Sequence, residues 1–464
     1  MRRWWFRMGL ALLGALGSYV GMSVLLFTMS ASRASLSQQP HEWLPLNLLE
    51  PDRRLLIIAP HPDDEVLGCG GLIAEAVARG IPVKVIWLTA GDGFPGAAML
   101  VSRTTPDAQA YQLLGKTRIQ EAQQACQQLG VSRENLCFLG YPDRRLWAMA
   151  LSGERPVRSP STGYTQVAYD ACPNRARAYT APNLVADLRE AIIAFQPTDI
   201  FTAHPLDDHP DHMAGALFTM EAIRQAVQSG GLRQRPGLYY YLVHRGNWPL
   251  PQGDHPNRTL LPPVSMGQSG WYYFPLTPET LERKRAALEA HATQYALMTR
   301  FLTSFLRQNE LFQRADEPVL YYRNPVDDNP ALHLRPEGDL SVVQIEPQQH
   351  GLEVKITTRK PVETPFQVEL NLITVDSRGR WNRNRWVYRP GADALPARVE
   401  GNTVRLWLSR PNLGTQRAAY LVVQTRLYGV ELDRSGVLPI PLSDAGWDSP
   451  ARATALLSVP SHSR

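Results

Sequence analysis

The sequence predicts an α/β protein built on a doubly wound, mostly parallel β-sheet, followed by a smaller all-β region. Three observations predict it. Short apolar runs alternate with stretches of helical period, two histidine-carboxylate clusters follow two of those runs directly, and the pattern changes to short β-rich runs from about Gly338. At 464 residues the chain exceeds one ordinary core, so two domains are expected: an α/β domain over 54–330 and a β-sandwich over 338–442.

Leu55 to Ala59 is a continuous apolar run, as a parallel strand covered on both faces requires. Val66, Leu67, Ile73 and Val77 then mark a helical face that stops at Gly80, and Val83 to Leu88 is a second strand. The unit recurs as a helix over Arg118 to Leu129 with a strand over Asn135 to Leu139. A helix over Asn183 to Phe195 and a strand over Asp199 to Ala203 follow, with another helix after His212. This alternation predicts a Rossmann-like order of strands. Tyr239 to His244 is a candidate late strand, and Asp92 to Lys116 and Ser152 to Pro182 are expected as loops bordering a site. Beyond Gly338, the runs Leu352 to Thr358, Phe366 to Val375, Val404 to Leu408 and Tyr420 to Tyr428 have no helical period. They predict antiparallel strands.

At the amino terminus Arg2, Arg3 and Arg7 precede an uncharged apolar stretch from Met8 to Ser32, long enough for a transmembrane helix. Residues 1–33 are therefore expected to anchor the chain with its bulk outside the cytoplasm, or to act as a signal peptide cut near Ser30-Ala31-Ser32. A tether over 34–53 and a loose tail over 443–464 complete the plan. The net charge of +5 is small, and the arginines are dispersed, so nucleic acid is not an expected partner. The four cysteines lack metal-ligand spacing and are expected as buried apolar residues.

The chemistry lies in His61-Pro62-Asp63-Asp64-Glu65, after the Leu55 strand, and in His204-Pro205-Leu206-Asp207-Asp208-His209-Pro210-Asp211-His212, after the Asp199 strand. In open α/β sheets, ligands bind beyond the carboxyl ends of strands, and both clusters fall at such ends. A hydrolytic zinc site needs about three histidine or carboxylate ligands and an open position for water. His61, Asp64 and His212 can supply the ligands, with zinc the first choice and another divalent ion the alternative. Asp63 is the candidate general base, and His209 the group that faces a developing oxyanion or the leaving amine. Asp211 is expected to orient a histidine. His204, Asp207, Asp208 and Glu65 serve equally well as turn or packing residues.

These motifs resemble the PIG-L or LmbE-like N-acetylglucosaminyl deacetylases: His61 to Glu65 followed by Gly68, Gly70 and Gly71, with His209-Pro210-Asp211-His212. Arg118 and Glu121 in one helix, Gly140-Tyr141-Pro142-Asp143, and Lys284, His291 and Gln294 extend the resemblance over about residues 54–310. It departs mildly at Thr293, where a serine is usual. The resemblance implies a zinc hydrolase acting on an N-acetylated amino sugar, with Arg118 and Asp143 on the substrate side and Lys284, His291 and Gln294 in a supporting network. The expectation is thus a tethered, extracytoplasmic de-N-acetylase. A glycan-binding surface protein with a non-catalytic pocket is the competing reading, while a phosphoesterase is disfavoured for want of a glycine-rich phosphate cradle.

Overall fold

The computed structural model describes residues 44–267, 270–315, 320–325, 332, 335–348, 351–391, 397–409 and 418–440. The expected anchor over 1–33 and tail over 443–464 lie outside these, and among the described residues no helix is long and apolar enough to cross a membrane. The expected tether is in part structural. Leu44–Pro45 (β1) pairs with the edge of the main sheet, and Leu46 and Leu48 are buried.

Leu55–Ala59 (β2) is wholly buried and leads through the helix Asp64–Ala78 (α1) to Val83–Thr89 (β3). Pro95–Ser102 (α2) and Ala108–Gln128 (α3) precede Leu136–Tyr141 (β4). Much of the segment expected as a loop, Asp92 to Lys116, is therefore helical. Pro95 sits at the start of α2, Ala97 and Ala98 are buried, and the Asp107 carboxylate caps α3 by accepting from the Ala110 N–H at 2.8 Å. Leu146–Ser152 (α4) and Ala181–Phe195 (α5) come next. Asp199–Ala203 (β5), Pro210–Gln228 (α6) and Gly237–Tyr241 (β6) close the parallel part.

The strands β4, β3, β2, β5 and β6 run parallel in that spatial order. The chain builds from β2 to β3 and β4 on one side and then returns to place β5 on the other. The carboxyl ends of β2 and β5 therefore flank the point where the winding reverses. Two strands that the sequence pattern did not reveal extend the sheet: Trp271–Pro275 (β7) and, after the helices Pro278–Ala290 (α7) and Ala292–Leu302 (α8), Asn309–Arg314 (β8). Strand β8 is antiparallel to both β6 and β7, so the eight-stranded sheet is mixed. Helices α1, α3 and α7 pack together, as do α4, α5 and α6, covering the two faces.

Helix α1 approaches its neighbours closely because its glycines permit it. A Cβ on Gly68 would stand 2.4 Å from Cδ2 of Tyr241, and one on Gly71 would stand 2.3 Å from Cδ2 of Leu276. A buried polar knot fixes that approach. Glu310 accepts from the Gly71 and Leu72 N–H groups at 2.7 and 2.8 Å and pairs with Lys284 Nζ at 2.6 Å.

The β-rich region has two antiparallel sheets. Tyr321–Arg323 (β9), Leu340–Gln348 (β10), Gly351–Thr358 (β11), Ala397–Glu400 (β14) and Thr403–Ser409 (β15) make one, in the order β14-β15-β11-β10-β9. Phe366–Val375 (β12), Trp381–Tyr388 (β13), Ala418–Leu427 (β16) and Val430–Arg434 (β17) make the other, with Leu438–Ile440 (β18) added on β16. Val343, Val354 and Leu406 of the first sheet share a core with Leu370, Leu372 and Val423 of the second. The second sheet's other face, through Ile373, Trp381 and Tyr420, joins the core of the α/β part, where the Trp381 ring lies 5.6 Å from that of Phe218.

We predict that Gly68→Val destabilises the protein by about 1–3 kcal/mol or more, the range for overpacking a filled core, because its side chain must displace the Tyr241 ring. Thermal melting tests this, and a melting temperature equal to that of the parent would refute the close packing of α1 on β6.

Candidate metal and hydrolytic site

His61 follows β2 by two residues, and Asp64 opens α1. The second cluster follows β5, with His209 capping α6 and His212 in its first turn rather than ahead of the helix, as the sequence pattern suggested. The two clusters meet. His61 Nδ1 lies 3.2 Å from His212 Nε2 and 3.3 Å from Asp64 Oδ2, which is 3.1 Å from His212 Nε2. Three ligand atoms each 2.0–2.1 Å from one tetrahedral ion stand about 3.3 Å apart, so this triangle has the dimensions of a zinc-type face. Looser groupings, His61 with His209 and His212, and His61 with Asp143 and Asp211, have donor atoms within 4.8 Å of one another.

The charge balance also fits a cation. Asp63, Asp64, Asp143, Asp207 and Asp211 are all buried, and among the described residues Arg118 is the one Lys or Arg in an ion pair with any of them. Buried carboxylates require compensation, and without an ion the histidines must provide it as imidazolium. Burial would lower the affinity of His212 for a proton, but Asp64 and Asp207 outweigh it and push its pKa up to about 10. Burial would likewise raise Asp64, yet His212 and His61 hold it well below the usual carboxylate range.

The far side of His61 and of His212 faces a carboxylate. His61 Nε2 is 3.1 Å from Asp143 Oδ1 and 3.3 Å from Asp211 Oδ2, while His212 Nδ1 is 3.3 Å from Asp207 Oδ2. Asp211 is fixed in turn by the N–H groups of Arg144 and Leu146, and Asp207 by those of Val243 and His244. Carboxylates so placed set the tautomer and aim of a ligand imidazole.

Asp63 lies outside the triangle. Its φ is 123°, a region rarely adopted by residues other than glycine, and such strain persists only where the surroundings enforce it. They do so here. The Asp63 N–H donates to Glu65 Oε2 at 2.9 Å, Arg118 Nη2 pairs with Asp63 Oδ2 at 3.1 Å, and the same nitrogen donates to the Pro62 carbonyl. Burial, opposed by Arg118, raises the Asp63 carboxyl to about 6. Glu65 also accepts from Trp87 Nε1 at 2.8 Å and lies 2.8 Å from His291 Nε2, and Glu121 binds the N–H and hydroxyl of Thr293. His209 is half-buried, and its Nδ1 accepts from the Asp211 N–H at 3.2 Å, which places the ring's proton on Nε2.

The two residues expected on the substrate side both stand at the site, each held by the scaffold. Arg118 is 4% exposed and spends its guanidinium on Asp63, Pro62 and the Gly91 carbonyl, so it clamps the first loop. Asp143 accepts from the Gly93 N–H at 2.6 Å with one oxygen and faces His61 with the other. His204 and Asp208 point away from the triangle, His204 to Gln313 at 2.7 Å and Asp208 to Arg245 at 2.6 Å. The sequence pattern did not single out His244. Beyond the end of β6, its ring is 4.9 Å from that of His212, 5.4 Å from that of His209, and stacked on Phe301. Its position after a strand was the one available signal.

A family model described as GlcNAc-PI de-N-acetylase matches residues 56–223, a span that contains both clusters. The 1D-myo-inositol 2-acetamido-2-deoxy-alpha-D-glucopyranoside deacetylase of Thermobifida fusca is 30% identical over 280 residues, covering 54% of this chain and 87% of that protein. The chain belongs to the PIG-L family. Another relative of this PIG-L chain, the deacetylase of the same description from Nocardia farcinica, is 28% identical over 260 residues, covering 52% of this chain and 80% of its own. Among solved structures, the N,N'-diacetylchitobiose deacetylase from Pyrococcus horikoshii covers 58% of the PIG-L chain and 87% of its own at 20% identity, with a TM-score of 0.37.

We predict one tightly bound divalent ion per chain by metal analysis. Asp207→Asn and Asp211→Asn should each weaken binding about 10–100-fold, the usual effect of losing a carboxylate behind a ligand histidine. Unchanged affinity in both would show that they do not orient the ligands.

Proposed function

We propose that the chain is a zinc-dependent hydrolase that removes the acetyl group from an N-acetylglucosamine conjugate, with the ion held by His61, Asp64 and His212. The triangle formed by those three side chains, with the strained carboxylate of Asp63 beside it, is the observation that carries this reading. The names of the relatives support an N-acetylglucosamine joined to inositol or a related polyol as the substrate class.

A zinc ion bound there supplies Lewis acidity, which lowers the cost of ionising water near neutral pH and of charging the amide oxygen. The remaining work falls to the chain. Asp63 accepts the proton of the attacking water, and Arg118 keeps its carboxylate fixed in aim. Proton return from the Asp63 carboxyl to the departing nitrogen completes the replacement of the C–N bond by a C–O bond and releases acetate and free amine. His209, with Nδ1 occupied as an acceptor, presents its Nε2–H as a neutral donor to the oxygen that becomes negative. Burial lowers its pKa below the ordinary histidine value, which favours that neutral form.

Asp63→Asn should retain the bound metal while the rate of acetate release from N-acetylglucosaminyl-inositol falls about 10²–10⁴-fold. Full turnover in that variant would refute the assignment of the base. Dialysis against a chelator should abolish acetate release and zinc should restore it, whereas undiminished activity in metal-free protein would overturn the zinc reading. Export is a separate proposal, supported by Arg2, Arg3, Arg7 and the apolar stretch after them. A reporter fused to the carboxyl end should then be active outside the cytoplasm, and activity inside alone would reject it.

A further inference from the structure

The two faces of the β14-β15-β11-β10-β9 sheet differ in character. The inward face carries Tyr322, Val343, Val354 and Leu406 into the core of the β-rich region. The outward face is polar apart from half-buried Val342 and two exposed aromatic residues, Tyr321 at 44% exposure and Trp407 at 43%. Strand register puts them on one surface. Tyr321 is opposite Gln344, Gln344 opposite Lys355 and Lys355 opposite Arg405, while Trp407 stands in the adjoining row, opposite Glu353 and, beyond it, Glu346.

Trp407 does not fold under a neighbour. A Cβ on Gly351 would lie 3.0 Å from its Cζ2, so the indole occupies the place a side chain on β11 would take and lies across the sheet. Three strand spacings across the sheet and two residues along it separate Tyr321 from Trp407, about 16 Å, too far for both rings to engage one monosaccharide. The charged side chains between them satisfy one another: Lys355 Nζ is 2.6 Å from Glu346 Oε1 and 3.8 Å from Glu353 Oε2, and Arg405 Nη1 is 3.3 Å from Glu353 Oε1. These charges balance one another, Arg323 adds one exposed cation beside Tyr321 on the same face, and the carboxylates and cations can all hydrogen-bond hydroxyls. Two exposed rings on a floor of mostly paired charges that can hydrogen-bond hydroxyls match an extended, uncharged chain with apolar C–H faces and equatorial hydroxyls.

We propose that this outward face binds a neutral polysaccharide, with Trp407 and Tyr321 as stacking platforms for separate sugar units. Naming the polymer as one of N-acetylated hexosamines rests on the deacetylase reading of the catalytic site; the face itself does not. It would hold a polymeric substrate near the α/β part on which the β-rich region is docked.

Native affinity electrophoresis of the full chain tests this, with glycol chitin or dextran cast in the gel. The parent should be retarded by glycol chitin, and so should Asp63→Asn, since the catalytic carboxylate plays no part in the face. Trp407→Ala with Tyr321→Ala should lose about tenfold or more in affinity, yet keep its melting temperature and its rate of acetate release from a small soluble N-acetylglucosamine conjugate. Trp407→Phe should retain most of the retardation. Retardation that persists in the double variant, vanishes in Asp63→Asn, or is absent from both gels for the parent overturns the proposal. Retardation by dextran alone, lost in the double variant, upholds the face and removes the hexosamine identity. A retarded parent that releases no acetate from any conjugate rejects the deacetylase reading and leaves the face standing.

Discussion

The pairing of β2 with β5 is the constraint on which the site depends. Their parallel register, from Leu55 opposite Asp199 to Ile58 opposite Thr202, brings together two clusters whose histidines His61 and His212 are 151 positions apart in the chain. That register sets the level at which the two strands end, and so the level from which the two loops start. Each strand ends in a loop feeding a helix, so the loops converge from opposite sides of the winding reversal. His61, Asp64 and His212 then approach within about one ligand-to-ligand distance of each other.

Holding those loops requires a second layer of buried polar contacts. The first loop is fixed by Arg118 and Glu65, and the helix it starts is fixed by Glu310 and Lys284, whose ion pair is itself buried. A buried pair of this kind contributes little net stability compared with an apolar replacement, but removing one partner strands a charge. Its value lies in position: Glu310 ties α1 to β8, and α1 carries Asp64. The same logic applies to Asp207 and Asp211, which bind backbone N–H groups on one side and face the ligand histidines on the other.

Much of this arrangement was legible in the sequence, because a fully buried strand and a histidine-carboxylate cluster each leave a local pattern. Leu55 to Ala59 and Asp199 to Ala203 were recognisable as strands of the described extent, and the clusters after them mark the switch point. Side-chain direction was not legible. Arg118 on α3 and Asp143 after β4 are near the site, but whether they face a ligand or the scaffold depends on Gly91, Gly93 and Pro62, which are distant in sequence. His244 was passed over because a lone histidine after the aromatic strand β6 has no spacing partner; its partners are His209, His212 and Phe301. The antiparallel strands β7 and β8 were missed for a related reason: β8, Asn309-Glu310-Leu311-Phe312-Gln313-Arg314, has no continuous apolar run, and both are defined by their pairing with each other.

The β-rich region bears on the second cluster as well as standing beside it. Val437 N–H donates to the Pro205 carbonyl at 2.7 Å, and Gly436 packs so closely on Pro205 and Leu206 that a Cβ there would meet backbone at 2.5 Å. Arg245, just after β6, reaches across: its guanidinium binds Asp208 and the Leu206 carbonyl, donates to the Arg323 carbonyl and lies 4.8 Å over the Tyr322 ring. The loop from His204 to His212 is thus gripped by the α/β sheet on one side and by β9 and the β17–β18 connection on the other. A ligand set needs its supports rigid to within a fraction of an ångström, and a long loop at a strand end does not provide this alone. The apolar face that Ile373, Trp381 and Tyr420 bury against the α/β core makes the grip part of the fold. The region after residue 320 therefore belongs to the positioning of His209 and His212, whatever else its outward face binds.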